Sequence, residues 1–450
     1  ETGVLRLPNQ STLRDYTGVI DSTDGFQPHV FQAIEKKLKA LPENERYGVL
    51  MLDEMSIRSD LVYHKKSDQI IGFVHPETWS FNEKVPAKVV ASQVLVFMVR
   101  GINNTVKESV AHFGTTTARA DFIYNKTWNA VALLEMHSMK VIACVSDKGS
   151  ANQRFYRMHE DFETVNPYSP SQRPIFFISD PPHLLKSLRN ILENSRPNGS
   201  RCLWRNGQHL WWSHIRRVHD ENGELYKTKL RNAHVNLTPT SRMNVRLAAQ
   251  VLSNRVALVL ESYGPECSET AEFVRMCNRM FDCLNGQFVR QEITTRNKDL
   301  APYKCTEDER FKFLEEFLQY LDGWKNQTLM REGFSKQERG RMFLSTQTHE
   351  GVRSTVKGFI GATKFLLTQG VTPVLSSVFS QDPLEAHFGR HRGLGARSRN
   401  PSLKEFSNQE RKLHLQRSLA FCFQPRGNVR TMEPKKVEVD DEPLPKVQRR

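Results

Sequence analysis

The chain has 450 residues, enough for two or three domains and a sizeable core. Lys and Arg number 64 against 50 Asp and Glu, and this surplus favours polyanionic partners, nucleic acid first. No run of about 18 apolar residues occurs, which excludes a helical membrane span. The seven cysteines are never spaced C-x-x-C, which argues for a reducing compartment and against a zinc finger or disulfide framework.

In chain order, residues 1–28 are polar and irregular, and their start, "ETGVLRLPNQ", lacks the apolar centre of a signal peptide and reads as the edge of a longer protein. "VFQAIEKKLKAL" has helical spacing. "RYGVLMLDEMSI" predicts a buried strand reaching Asp53, "LVYHKKSDQIIGFV" a strand pair around a turn, and "ASQVLVFMVRGI" another strand. The helix in "TARADFIYNKTWNAVALLEMHSM" precedes the strand "KVIACVSD", which ends at Asp147. The helix "NQRFYRMHEDF", the strand "RPIFFISD" ending at Asp180, and the helix "HLLKSLRNILEN" follow. Three strands and then alternating helix and strand predict a mixed α/β layered fold, in the element order of an RNase H-like domain. Beyond about residue 195 the pattern becomes helical, with long helices expected in "SRMNVRLAAQVLSNRVALVLESYG", "TAEFVRMCNRMFDCLN" and "EDERFKFLEEFLQYLDGW". Another helix is expected in "EGVRSTVKGFIGATKFLLTQG", and the tail from Arg426 is poor in apolar residues and expected to be disordered.

Three carboxylates carry the candidate chemistry. Asp53 and Asp147 each close an apolar strand, where α/β sheets gather functional groups. A partly desolvated Asp there needs a partner, and two divalent ions shared by such acids can clamp the oxygens of a phosphodiester. Glu385 lies in "FSQDPLE". Locally that stretch reads as a helix start, with Asp382 as N-cap, Pro383 at N1 and Glu385 at N3. The Asp147 segment "SDKGSAN" likewise reads as a turn. "ISDPPHLLKSLRN" repeats the construction, with Asp180 as cap and His183, Lys186 and Asn190 on one face, a candidate phosphate site beside a solvated-face alternative. Arg390, Arg392, Arg397 and Arg399 follow Glu385 and are candidates for DNA backbone contact, with Gly393 and Gly395 suggesting a flexible loop that closes over substrate.

"MLDEMSIR", "IIGFV", "SDKGSANQRF", "DPPHLLKSLRN" and "FSQDPLE", in this order over residues 47–390, resemble the P-element transposases and related THAP-domain transposase-like proteins. The resemblance implies a DDE-type, RNase H-like mixed sheet flanked by helices and interrupted by a mainly helical GTP-binding insertion. It divides the chain into 1–28, irregular; 29–180, the first part of the RNase H-like domain; 181–345, the insertion; 346–417, the C-terminal part with the catalytic Glu; and 418–450, a disordered tail. It implies Asp53, Asp147 and Glu385 as catalytic residues holding two Mg²⁺ ions. Lys186, Asp180, Asn190 and Asp382 become guanine nucleotide contacts, although no G-x-x-x-x-G-K-[ST] loop is present and "RNKDL" lacks the N-K-x-D spacing. The implied function is a nuclear cut-and-paste DNA transposase core acting on transposon ends and target DNA, with GTP as cofactor and as a homo-oligomer. The alternatives are a domesticated, catalytically silent DNA-binding protein, favoured by the missing C-x-C-H module and coiled coil, and a nuclease without strand transfer.

Overall fold

The computed structural model describes residues 24–65, 68–78, 89–221, 228–394 and 400–422. The strands are β1 (Gly25–Phe26), β2 (Tyr47–Ser56), β3 (Val62–His64), β4 (Gln69–Ile71), β5 (Gln93–Gly101), β6 (Lys107–Thr115), β7 (Lys140–Ser146), β8 (Glu163–Val165) and β9 (Pro174–Ser179). Seven of them form one sheet in the order β1-β6-β5-β2-β7-β9-β8. β2, β5 and β6 are an antiparallel meander, and β7 and β9 add on in parallel. This is the RNase H-like mixed sheet that the sequence predicts.

The meander differs in one member. The expected strand pair is a separate ribbon, β3 with β4, and the third sheet strand is β6, "KESVAHFGT". Ser109, His112, Gly114 and Thr115 break its apolar run, yet eight of its nine residues are buried, because both faces of the sheet are covered. β1 and β8 are short edge strands with too little sequence to announce themselves.

Helices α1 (Pro28–Lys39), α2 (Ala120–Met136) and α3 (Ser150–Tyr156) accompany the sheet, and α4 (Pro181–Glu193) leaves its edge. Alternation in the strands feeds two cores. Val49, Met51, Val94, Val96 and Met98 join one cluster, while Leu50, Leu52, Leu95, Phe97 and Val99 join the other with side chains of α1 and α2. The first cluster runs on without a break into the insertion through Leu184, Leu185, Leu188 and Leu192 of α4.

The insertion carries a small hairpin, β10 (Trp204–Arg205) with β11 (Gln208–His209). Its helices are α5 (Trp212–Asp220), α6 (Asn232–Val235), α7 (Pro239–Arg242), α8 (Val245–Val251), α9 (Asn254–Ser262), α10 (Ser268–Leu284), α11 (Gln291–Thr295), α12 (Glu309–Met330) and α13 (Lys336–Arg341). The long helix expected over "SRMNVRLAAQVLSNRVALVLESYG" is instead broken into α7, α8 and α9. Asn244 and Ser253 each turn a side-chain oxygen to the N–H three residues on, so each starts a new helix.

The chain returns in α14 (Thr346–Thr368), which lies against β9. Gly358 and Gly361 permit that approach. A Cβ on Gly361 would come to 2.3 Å from the Phe176 ring, and one on Gly358 to 2.8 Å from Ile178 Cγ1. Last come α15 (Asp382–Leu394) and α16 (Leu403–Cys422). Two expectations change here. Gly393 is helical rather than part of a loop, while Gly395 lies outside the described residues, and residues 418–422 continue α16 rather than opening a disordered tail. Among the described residues no helix is long and apolar enough to cross a membrane.

Candidate active site

β2 pairs in parallel with β7 up to Leu52 and Ser146, so Asp53 and Asp147 are the next residues on adjacent strands. β2 itself continues with β5 to Ser56. Asp53 therefore sits where its partner strand leaves, not at its own strand end. Its Oδ1 accepts the Glu54 N–H at 2.8 Å. Asp147 Oδ1 accepts from the Gly149 N–H at 2.8 Å and from Asn152 Nδ2 at 2.6 Å, so the turn at the start of α3 and the placement of the carboxylate are one arrangement.

Glu385 is brought in from the far end of the chain by the hydrogen bonds of Gln381. Gln381 Nε2 donates to the Leu52 carbonyl at 2.6 Å, one residue before Asp53. The Gln381 N–H donates to Asp180 Oδ1 at 2.8 Å, while Asp180 Oδ2 accepts the His183 N–H at 3.0 Å. One buried carboxylate thus ties the first turns of α4 and α15 together. The Gln381 carbonyl accepts the first bonds of α15, from Leu384 and Glu385, so Gln381 is the N-cap and Asp382 is the first helical residue, which corrects the expected cap.

Glu385 is exposed, and its Oε1 lies 3.1 Å from His183 Nε2. That bond, stronger than the cost of burial, holds the Glu385 carboxyl below its usual range. Burial depresses the His183 imidazole, but Glu385, Asp180 and Asp147 outweigh it and leave it raised. Asp53 is pushed up to about 7, first by burial and then by the charge of Asp147, with Glu385 adding to it. The three candidate acids are thus within electrostatic reach of one another. The trio is open, because Glu385 is drawn to His183. Lys148, lowered to about 8 by burial, and Lys186 add two cations around Asp147 and Glu385.

The four candidate nucleotide contacts do not form one pocket. Asp180 is 1% exposed and has both oxygens on backbone N–H groups, so it is a structural clasp with no open face for a nucleotide. Lys186 stands with the carboxylates. The Asn190 amide lies against Arg189 and the Arg242 carbonyl. Asp382 faces Arg100 and Lys107. Two clefts of about 460 and 420 Å³ lie elsewhere, at the α12–α14 face and beside residues 298–310, and none of the four lines them.

α15 divides by face. Leu384, His387, Phe388 and His391 are buried, and Glu385, Arg390 and Arg392 are exposed. Arg392 acts on Glu385, whereas Arg390 acts on Lys107, which also faces Asp382. Arg397 and Arg399 lie outside the described residues. Sequence reasoning passed over Gln381, Asn152 and Lys148 as members of the site. Each lies within five residues of a candidate acid, and that nearness in sequence is the available signal.

The family model for the TNP-like RNase H N-terminal domain matches residues 22–160, and that for the TNP-like GTP-binding insertion domain matches residues 182–296. The Transposable element P transposase of Drosophila melanogaster is 24% identical over 421 residues, covering 90% of this chain and 50% of that protein. The human DNA transposase THAP9 is 22% identical over 300 residues, covering 63% of this chain and 32% of that protein. The chain therefore spans half or less of the length of these curated relatives. In structure it is similar to the Drosophila P element transposase strand transfer complex, with a TM-score of 0.72 at 22% identity, covering 91% of this chain and 86% of that one. The strand order, the helical insertion and both family models agree: the chain belongs to the P-element transposase family, an RNase H-like domain interrupted by a GTP-binding insertion domain.

Proposed function

We propose that the chain is the core of a DDE-type DNA transposase, which hydrolyses a phosphodiester at a transposon end and joins the freed 3′-hydroxyl to target DNA in the nucleus. The observation that carries this reading is the approach of Asp53, Asp147 and Glu385 from residues 53 to 385, close enough that the charges of Asp147 and Glu385 add to burial in raising the Asp53 carboxyl to about 7. An all-oxygen set of neighbouring acids fits a hard divalent cation such as Mg²⁺. When bound, such ions neutralise phosphate charge and activate the attacking oxygen. Asp53 and Asp147 are the fixed ligands on the sheet, and Glu385 is the third, supplied by α15. His183 keeps Glu385 ionised and oriented. Lys148 and Lys186 face the incoming phosphate, and Arg390, Arg392, Arg397 and Arg399 hold the DNA backbone by charge. The match of residues 182–296 to a GTP-binding insertion domain supports a guanine nucleotide as cofactor.

The test is strand transfer of a labelled transposon-end DNA into a plasmid with Mg²⁺, comparing the chain with Glu385→Gln. Joined product that disappears in the variant supports the reading. Cleavage without joining makes the protein a nuclease. Salt-dependent DNA binding with neither reaction makes it a transposase-derived binding protein. Binding of a fluorescent GTP analogue to the full chain checks the nucleotide.

A further inference from the structure

Behind the exposed face of α15 lies a group of buried side chains that the proposed chemistry does not use. His387 and His391 are one helical turn apart on α15, and Glu410 faces them from α16. Their side chains are 0%, 0% and 1% exposed. His387 Nε2 lies 2.5 Å from Glu410 Oε1, His391 Nε2 lies 3.0 Å from the same oxygen, and the two Nε2 atoms are 3.2 Å apart. Among the described residues this is the one set of three His, Cys, Asp or Glu side chains whose donor atoms all fall within 4.8 Å of one another. Tetrahedral bonds of about 2.0–2.1 Å to zinc place donor atoms about 3.3 Å apart, so small side-chain adjustments would seat an ion at their centre.

On the His391 side the surrounding groups orient the set as an outer shell does. Gln409 Oε1 lies 2.9 Å from His391 Nδ1, and an amide oxygen only accepts, so Nδ1 carries a proton, and a neutral His391 turns its Nε2 lone pair to the cluster. The His391 ring is also stacked on Phe406, 4.0 Å away at 9°. At 3.0 Å from the Glu410 oxygen, Nε2 needs a positive centre between the two, which a proton or a metal ion supplies. Glu410 Oε2 lies 3.2 Å from His414 Nε2, an ion pair when that imidazole is protonated. Arg417 lies 3.1 Å from His387 Nδ1 and the same distance from Glu108 Oε2. Ligation through His387 Nε2 puts its proton on Nδ1, so Arg417 gives up that contact and keeps Glu108.

We propose that His387, His391 and Glu410 bind one borderline divalent transition-metal ion, zinc first, as a structural bolt between α15 and α16. Two imidazoles and one carboxylate suit zinc and exclude Mg²⁺ and Ca²⁺, which take oxygen ligands. The ion fixes the buried face of the helix whose opposite face presents Glu385. This site is independent of the carboxylate chemistry, and its test can fail while that chemistry stands.

The experiment uses the full chain, stripped of metal and then dialysed against Zn²⁺ in the presence of Mg²⁺. The expected result is about one tightly held zinc per chain by elemental analysis, lost in Glu410→Gln and in His391→Ala and kept in an Asp53→Asn, Asp147→Asn double variant. Co²⁺ added to the metal-free wild-type protein, which removes the question of variant folding, should give the intense visible absorption of a four-coordinate nitrogen–oxygen site, and Zn²⁺ should displace it. Zinc well below stoichiometry together with no such Co²⁺ spectrum overturns the proposal. So does zinc that follows Asp53 and Asp147 rather than His391, and in either case the cluster is a protonated hydrogen-bond network.

Discussion

Replacing Asp53 by Asn should remove one part of the pH dependence of the protein's stability. The Asp53 carboxyl stands at about 7 in the folded chain against an ordinary 3.8. The folded state thus keeps a proton that the unfolded state has released, and Asp53 makes the protein less stable as pH rises from about 4 to about 7. About three pKa units correspond to about 4 kcal/mol, and partial exposure of the side chain reduces this to about 2 kcal/mol. Asn keeps an oxygen for the Glu54 N–H and carries no charge. In urea denaturation without divalent ions, Asp53→Asn should match the wild type near pH 4 and exceed it by about 2 kcal/mol at pH 7.5. Asp24, raised to about 7, and Asp180, raised to about 6, titrate in the same window, but they are common to both proteins and cancel in the difference. Mg²⁺ at pH 7.5 should stabilise the wild type and narrow the gap. A difference that is flat from pH 4 to 7.5, or equal Mg²⁺ stabilisation of both proteins, would refute the reasoning.

Asp180→Asn places an amide N–H against one of two backbone donors, so it should cost about 2 kcal/mol in chemical denaturation and loosen α4 and α15 together. Gly361→Val should destabilise by about 1–3 kcal/mol, measured as a lower urea midpoint, because its side chain meets the Phe176 ring. Gln381→Leu removes the bond to the Leu52 carbonyl and should reduce strand transfer at least about tenfold while changing the urea midpoint little, since the Asp180 clasp remains. The double charge reversal Arg390→Glu, Arg392→Glu should weaken DNA binding and lower its salt dependence by about two phosphate contacts, read from affinity against salt concentration.

The central strands and α2, α4, α10, α12 and α14 were legible because apolar periodicity is strong where both faces of a sheet, or one face of a long helix, are buried. β6 was not, since its buried Ser109, His112 and Gly114 are accepted by neighbours rather than by hydrophobicity: His112, for example, meets Ser407. The break between α8 and α9 was written in Ser253, but a cap inside an apolar pattern is outvoted by the pattern. Asp53, Asp147 and Glu385 could be singled out from local position and from family resemblance. What no local pattern held was the connection among them. His183 meets Glu385 across 202 positions and Gln381 meets Leu52 across 329, and such pairings exist only once the chain is folded. Asp180 misled for the same reason. A cap, a nucleotide ligand and a clasp between distant helices share one sequence signature, and burial alone separates them.

The Asp180 clasp has a consequence in time. Its second partner, the Gln381 N–H, is synthesised 201 residues after it. A growing polypeptide that has emerged only as far as the insertion holds the sheet acids with no third acid and leaves one carboxylate oxygen at the mouth of α4 unmatched. Under the proposed function, a molecule able to cut DNA is assembled only after nearly all of this sequence has left the ribosome, and fragments ending before α15 lack the third acid.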